Sequence, residues 1–226
     1  MNQLPANIWE IGEAGGYIPP DDIGSPKRKE SGSTRNPTMC SVDKPLPSQP
    51  LTALVPKNTD TGVTVLDRPT FFAYIPETSA TTVTFVLQDL DYQDIYRTIF
   101  PIPKTPGIVS FKLPDRAPAL EIGKTYRWTL AVICPPKSED SREEPGVYAN
   151  IWRTQLRQPV ANELQKLPIR DRAKLYRQSK VWHEAVSTLA ELRQTNSSDS
   201  QLVAEWKELL NSAGLSELAE VPLVSD

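Results

Sequence analysis

The 226 residues carry 25 Lys and Arg against 28 Asp and Glu, a net charge of −3. The two signs are mixed along the whole chain, so no segment has the positive excess that a nucleic-acid partner requires. No apolar run approaches the ~20 residues of a membrane span, and 22 prolines against 10 glycines imply many breaks between short elements and some unpacked chain.

Residues 1–48 are dominated by Gly, Pro, Ser and charged side chains, with no persistent strand or helix period, and read as a disordered N-terminal segment. Within it Tyr17–Pro20 and Gly24–Lys29 have the composition of an extended linker. The opening MNQLPANIWEIGEAGG lacks the basic and apolar regions of a secretory signal, so the chain as written reads as cytoplasmic.

From residue 49 the texture changes. Leu51–Val55, Val63–Val65, Thr70–Ile75, Thr82–Leu87, Ile95–Ile99, Ile108–Leu113, Tyr126–Val132 and Val147–Trp152 read as short strands separated by turn residues. That pattern predicts an all-β sandwich over residues 49–157. The prolines fall at strand ends, where a missing N–H costs little. The central strand is the clearest: Tyr126, Trp128, Leu130 and Val132 alternate with Arg127, Thr129 and Ala131, the period of a strand with one buried face. Leu120, Gly123 and Tyr126 just before and at its start have the spacing of the tyrosine corner of immunoglobulin-like and fibronectin-like sandwiches. In that motif the Tyr hydroxyl bonds back to the preceding loop. Phe72, Tyr74, Phe85, Phe111, Tyr126, Trp128 and Leu130 are expected to share the core.

At Pro159, a residue suited to a first helical turn, the period changes from two to 3.6. Apolar stripes run through Val160, Leu164 and Leu167, then Ile169, Ala173 and Tyr176, then Trp182, Ala185, Leu189 and Leu192, then Leu202, Trp206, Leu209 and Ala213. Pro168 stops or restarts a helix. Ser198 with Gln201 has a capping-box spacing, and Gly214 suits a helix C′ position. Residues 158–226 are therefore expected to form three amphipathic helices, an antiparallel hairpin plus one, anchored by Tyr176, Trp182 and Trp206. The fold class is α and β in sequence-separated parts. Leu175–Gly214 also resembles a tetratricopeptide-type repeat through Tyr176, Trp182, Ala185, Leu189 and Ser197–Asp199. Lys180 stands where that repeat's turn Gly usually sits, Ser197 where its Pro sits, and only about one and a half units are present, fewer than a solenoid needs.

No catalytic constellation stands out. His183 is the only histidine, so any Ser-His-Asp or Cys-His device would need it. It follows Trp182 on a predicted helix, at its exposed edge, and no Gly-x-Ser-x-Gly elbow is present; it reads as a structural or surface residue. One His and two distant Cys do not make a zinc site. Asp89, Asp91 and Asp94 have the alternate spacing of calcium loops, but lack the Gly and distal Glu of an EF-hand, and Asp is common in turns. Residues 138–144, SEDSREE, are a charged loop between strands, a solvated connection or a binding loop. No phosphate-binding Gly loop appears. No catalytic, cofactor or metal residue is assigned.

Taken together, LTALVP, PTFFAYIP, FVLQD, YRTIF, TPGIVSFKLP, LEIGKTYRWTLAVIC and WHEAVSTLAELR resemble the cyanobacterial domain-of-unknown-function family 928, over about residues 15–225. The resemblance implies a β-sandwich-like domain with a C-terminal helical region, no assigned activity, and export, because members usually begin with a secretory leader. It thus points to the periplasm, against the cytoplasmic reading of the first residues. The two cysteines, Cys40 and Cys134, have one possible connectivity within the chain. Export would favour a disulfide that pins the N-terminal segment to the sandwich; a reducing cytoplasm would leave two thiols. The expected function is non-enzymatic, a protein–protein interaction or envelope-associated accessory module. The alternatives are a carbohydrate- or envelope-binding module and a hydrolase with a carboxylate site that the sequence does not identify.

Overall fold

The computed structural model describes residues 40–44, 47–136 and 144–224. Among them, eight strands come first: β1 (Thr52–Ala53), β2 (Thr61–Thr64), β3 (Thr70–Ile75), β4 (Thr82–Gln88), β5 (Asp94–Pro101), β6 (Gly107–Lys112), β7 (Thr125–Ile133) and β8 (Gly146–Arg153). Four helices follow: α1 (Gln158–Lys166), α2 (Ile169–Gln178), α3 (Trp182–Thr195) and α4 (Ser200–Ser212), with a short 3-10 turn at Ser216–Leu218. The strands form a three-stranded sheet in the order β1-β3-β6 and a five-stranded sheet in the order β2-β8-β7-β4-β5. All pairings are antiparallel except β2 on β8. The segments at 17–20, 24–29 and 138–143 singled out in the sequence lie outside the described residues.

The inner faces of the two sheets share one core. Phe71 of β3 lies 4.9 Å from Phe85 of β4 and 5.4 Å from Trp128 of β7, ring centre to ring centre. β7 follows its sequence period: Tyr126, Trp128, Leu130 and Val132 are buried and the residues between them are half-exposed. Phe85 also packs on Phe111 of β6, at 4.5 Å.

β3 departs from the expected single buried face. Phe71, Ala73 and Ile75 point into the space between the sheets. Phe72 and Tyr74, expected in that same core, point the other way and join Leu54, Ile108 and the helices in a second apolar cluster. Successive strand residues alternate sides, so burying both requires a layer on each face. Here the helices supply the second layer, and the strand reads as a continuous apolar run.

The helical layer has four helices rather than three, because Pro168 ends one and starts the next. Trp182, Ala185, Leu189, Leu202, Trp206, Leu209 and Leu210 are buried together. The Trp182 indole N–H donates to the Leu54 carbonyl at 2.8 Å, tying α3 to the loop after β1. Tyr176 is only partly buried, at the margin of the cluster. The N-cap of α4 is Asp199, one residue later than the capping-box spacing suggested. Its carboxylate accepts the N–H groups of Gln201 and Leu202, at 2.9 and 3.2 Å. Gly214 ends the same helix with φ +74°, and the Leu215 N–H reaches back to the Leu210 carbonyl, the bond pattern of a Schellman cap. No helix among the described residues is long and apolar enough to cross a membrane.

Candidate functional site

Three local arrangements concern the residues singled out in the sequence. The first is the turn before β7. Gly123 has φ +81°, which a residue without a Cβ adopts freely. Leu120 is buried, and the Tyr126 hydroxyl accepts the Glu121 N–H at 2.9 Å. The Arg153 guanidinium donates to the Leu120 carbonyl, so β8 holds the same turn from the other side. At the far end of β7 a disulfide joins Cys134 to Cys40, with Cα atoms 5.5 Å apart, inside the range that bridging allows. Both cysteines are buried. The Asp43 carboxylate accepts the Thr78 hydroxyl at 2.7 Å and the Ser79 N–H at 2.8 Å, fastening residues 40–44 to the loop between β3 and β4.

The second is the first turn of α3. His183, expected at an exposed edge, is buried. Its ring meets Phe71 edge-on at 5.6 Å, between Thr70 of β3 and Gly62 of β2. Nδ1 lies 3.0 Å from the Thr70 carbonyl. A carbonyl only accepts, so Nδ1 carries the proton and Nε2 is bare. Nε2 has no partner among the described residues and points at Gly62, where a Cβ would lie 2.3 Å from it. Burial pushes the His183 pKa down to about 4, against which the Thr70 bond works weakly. Glu184 is buried beside it. One carboxylate oxygen accepts the Thr64 hydroxyl at 2.5 Å and the N–H groups of Val65 and Leu66 at 3.3 and 3.2 Å. The other oxygen has no partner among the described residues. Burial raises the Glu184 pKa, and these hydrogen bonds oppose the rise. The pair locks α3 to the end of β2 and the start of β3. Sequence reading missed it because the room for His183 is created by Gly62, 121 positions away.

The third is the outer face of the five-stranded sheet. Arg127 of β7 opposes Asn150 of β8, and Tyr148 sits diagonally beside it. The Arg127 guanidinium carbon lies 3.8 Å from the centre of the Tyr148 ring and 5.3 Å from that of Tyr92. Tyr92 belongs to the β4–β5 turn and has φ +62°, a conformation that costs a non-glycine residue about 1 kcal/mol. The turn is built to hold it. One Asp89 carboxylate oxygen accepts the N–H groups of Asp91 and Gln93, each at 2.9 Å, and the Gln88 amide donates to the Tyr92 carbonyl at 3.3 Å. Asp94 pairs with Arg97 at 2.7 Å. Of the aspartates that resembled calcium ligands, Asp89 and Asp94 thus commit their carboxylates to their own turn and strand. Among the described residues no group of three or more His, Cys, Asp or Glu side chains is placed to hold a metal ion. Tyr92 and Tyr148 are 48% and 42% exposed. Neither they nor Arg127 was singled out in the sequence. The available signal was the outward position of Arg127 in β7, but its neighbours follow from a strand order that the sequence does not state.

No curated protein matches this chain. A family model described as Domain of Unknown Function (DUF928) matches residues 30–223, which takes in both sheets and all four helices, and the chain therefore belongs to that family.

Proposed function

We propose that the chain is a non-enzymatic module that holds a protein partner against the outer face of its five-stranded sheet. The observation that carries this reading is the Tyr92–Arg127–Tyr148 stack on an exposed face. Tyr and Arg are the residue types that concentrate binding energy at protein interfaces. Their stacking already orders the three side chains, so binding sacrifices less rotamer freedom. A carbohydrate would stack on an open aromatic face, and one face of Tyr148 is taken by the guanidinium, which favours the protein reading. The absence of catalysis is supported by the placement of His183, whose bare nitrogen faces the backbone at Gly62.

The finer fold reading is immunoglobulin-like. It is supported by the sheet orders β1-β3-β6 and β2-β8-β7-β4-β5 and by the Tyr126 hydroxyl bonded back to the preceding loop. Residence outside the cytoplasm, at the cell envelope, is supported by the Cys40–Cys134 disulfide, a bond that persists in oxidising compartments.

The test is photo-crosslinking in the native envelope with p-benzoylphenylalanine at Tyr148. A protein adduct that disappears when Arg127→Ala is added, with the melting temperature unchanged, is the expected outcome. A glycan adduct, or a protein adduct that ignores Arg127, would refute the reading.

A further inference from the structure

β5 is an edge strand of eight residues, and among the described residues no strand pairs with its outer side. The other sheet treats its edges differently. β1 has only two residues, and β6 is bridged by the C-terminal stretch, through Ile108 N–H to the Pro222 carbonyl and Val224 N–H to the Ile108 carbonyl. An uncovered long edge is a template for another strand.

The hydrogen-bond phase of β5 can be read directly. The Ile102 N–H donates to the Thr81 carbonyl at 3.0 Å, and the pairing continues as Pro101 with Thr82, Phe100 with Val83 and Ile99 with Thr84. Antiparallel pairs alternate between bonded and unbonded. Phe100, Thr98 and Tyr96 therefore turn their backbone groups toward β4. Arg97 and Ile99 turn both N–H and C=O outward, and Pro101 its C=O. On the outer face Ile99 is 60% exposed, the highest value among the large apolar residues that stand exposed. Edges are commonly guarded by charge, but Arg97, the charged residue between Ile95 and Pro101, is already paired with Asp94 at the start of the same strand.

We propose that β5 pairs antiparallel with β5 of a second copy of this chain, about a two-fold axis at Ile99, to give one sheet of twice the width. A two-fold perpendicular to the sheet keeps outer residues opposite outer residues, which leaves few registers. Centred on Arg97, two guanidinium groups would face each other; centred on Thr98, they would be diagonal neighbours. Centred on Ile99, each Ile99 exchanges N–H and C=O with the Ile99 of the second copy, and each Arg97 N–H meets a Pro101 carbonyl. Proline accepts there but has no N–H to give, so each Arg97 carbonyl at the two ends of the ladder is left to water. The two Arg97 side chains stand about 14 Å apart along the strands, four residues at strand rise. Two exposed isoleucines become a buried cross-strand pair. The inference is independent of the partner-binding reading above, because it uses the edge and not the Tyr92–Arg127–Tyr148 stack. An interface of this size lies near or below the ~1,000 Å² expected of stable complexes, so the dimer is weak and reversible.

The test is sedimentation velocity of the full, oxidised chain from about 10 μM to about 1 mM, a range that spans weak association. Wild-type protein should move from monomer to dimer across it, and Ile99→Lys should stay monomeric with an unchanged melting temperature. Ile99→Cys should form an intermolecular disulfide on mild oxidation, whereas Arg97→Cys should not. A wild-type monomer throughout, an Ile99→Lys variant that associates as the wild type does, or cross-linking at 97 in place of 99 would overturn the proposal.

Discussion

Acidification should weaken this fold through one buried side chain, beyond what its paired surface carboxylates such as Asp94 and Asp199 lose. His183 is the only histidine, is buried, and has its pKa pushed down from 6.5 to about 4 by that burial. The unfolded chain therefore takes up a proton near pH 6.5 that the folded chain refuses until about 4. The stability that neutral His183 supports is present in full above 6.5, declines as the pH falls, and is gone once the pH passes the folded value. A displacement of about 2.5 units at 1.36 kcal/mol per unit gives ~3.4 kcal/mol, an upper figure for one group. Glu184 works in the opposite sense. Its raised pKa means that burying its charge costs stability at high pH, and the cost is lifted as the pH falls through its folded value. The wild-type slope is thus a difference, and His183→Asn, which keeps a donor for the Thr70 carbonyl, isolates the histidine part. Urea unfolding of both proteins in steps from about pH 7.5 to about pH 4 should show the wild type losing its margin over the variant across that window. Parallel pH curves for the two proteins would refute the buried-neutral assignment.

Two further outcomes are expected. Gly62→Ala should destabilise by about 1–3 kcal/mol, as overpacking does, because the new methyl meets the buried His183 ring. Adding His183→Ala should recover part of that loss in denaturant titrations, and strictly additive losses would show that the two positions do not touch. Reducing the Cys40–Cys134 bridge should lower stability by ~2–4 kcal/mol, and a thiol count on unreduced, denatured protein isolated under thiol-blocking conditions should find none; two titratable thiols would contradict the bridge.

The strands were legible because each is short, β-branched or aromatic, and bracketed by proline or turn residues, so that period two could be read at β4, β6 and β7 without tertiary information. β3 was legible as a strand but not as a two-sided one: Thr70–Ile75 carries apolar residues at every position from Phe71 on, and a reading with one buried face assigns Phe72 and Tyr74 to the core between the sheets, where Phe71, Ala73 and Ile75 in fact lie. The helix stripes identified Trp182 and Trp206 as buried, since those residues recur at helical spacing. His183 eluded the same logic because a helix face says nothing about a neighbouring sheet that has a glycine where a side chain would be. The capping residue moved from Ser198 to Asp199 because a carboxylate beside Arg170, with their ion pair at 2.5 Å, satisfies the first N–H groups of α4 better than a hydroxyl one position earlier. The exposed Arg127 stack depends on pairing between β7 and β8 and on a left-handed Tyr92, neither of which leaves a local pattern.

The double burial of β3 carries a hazard outside the native state. Phe71–Ile75 is a run with no charge, no proline and strong β preference, the composition that stacks into cross-β fibrils when it is bare. In the native fold one side is shielded by the opposing sheet and the other by the helices, so lifting the helices alone would uncover Phe72 and Tyr74 while the strand is still extended. Pro69 and Pro76 bracket the run, and neither can donate a ladder N–H. They act as gatekeepers that confine any misassembly to six residues, and replacing either would lengthen the segment that a partly opened molecule offers to its neighbours.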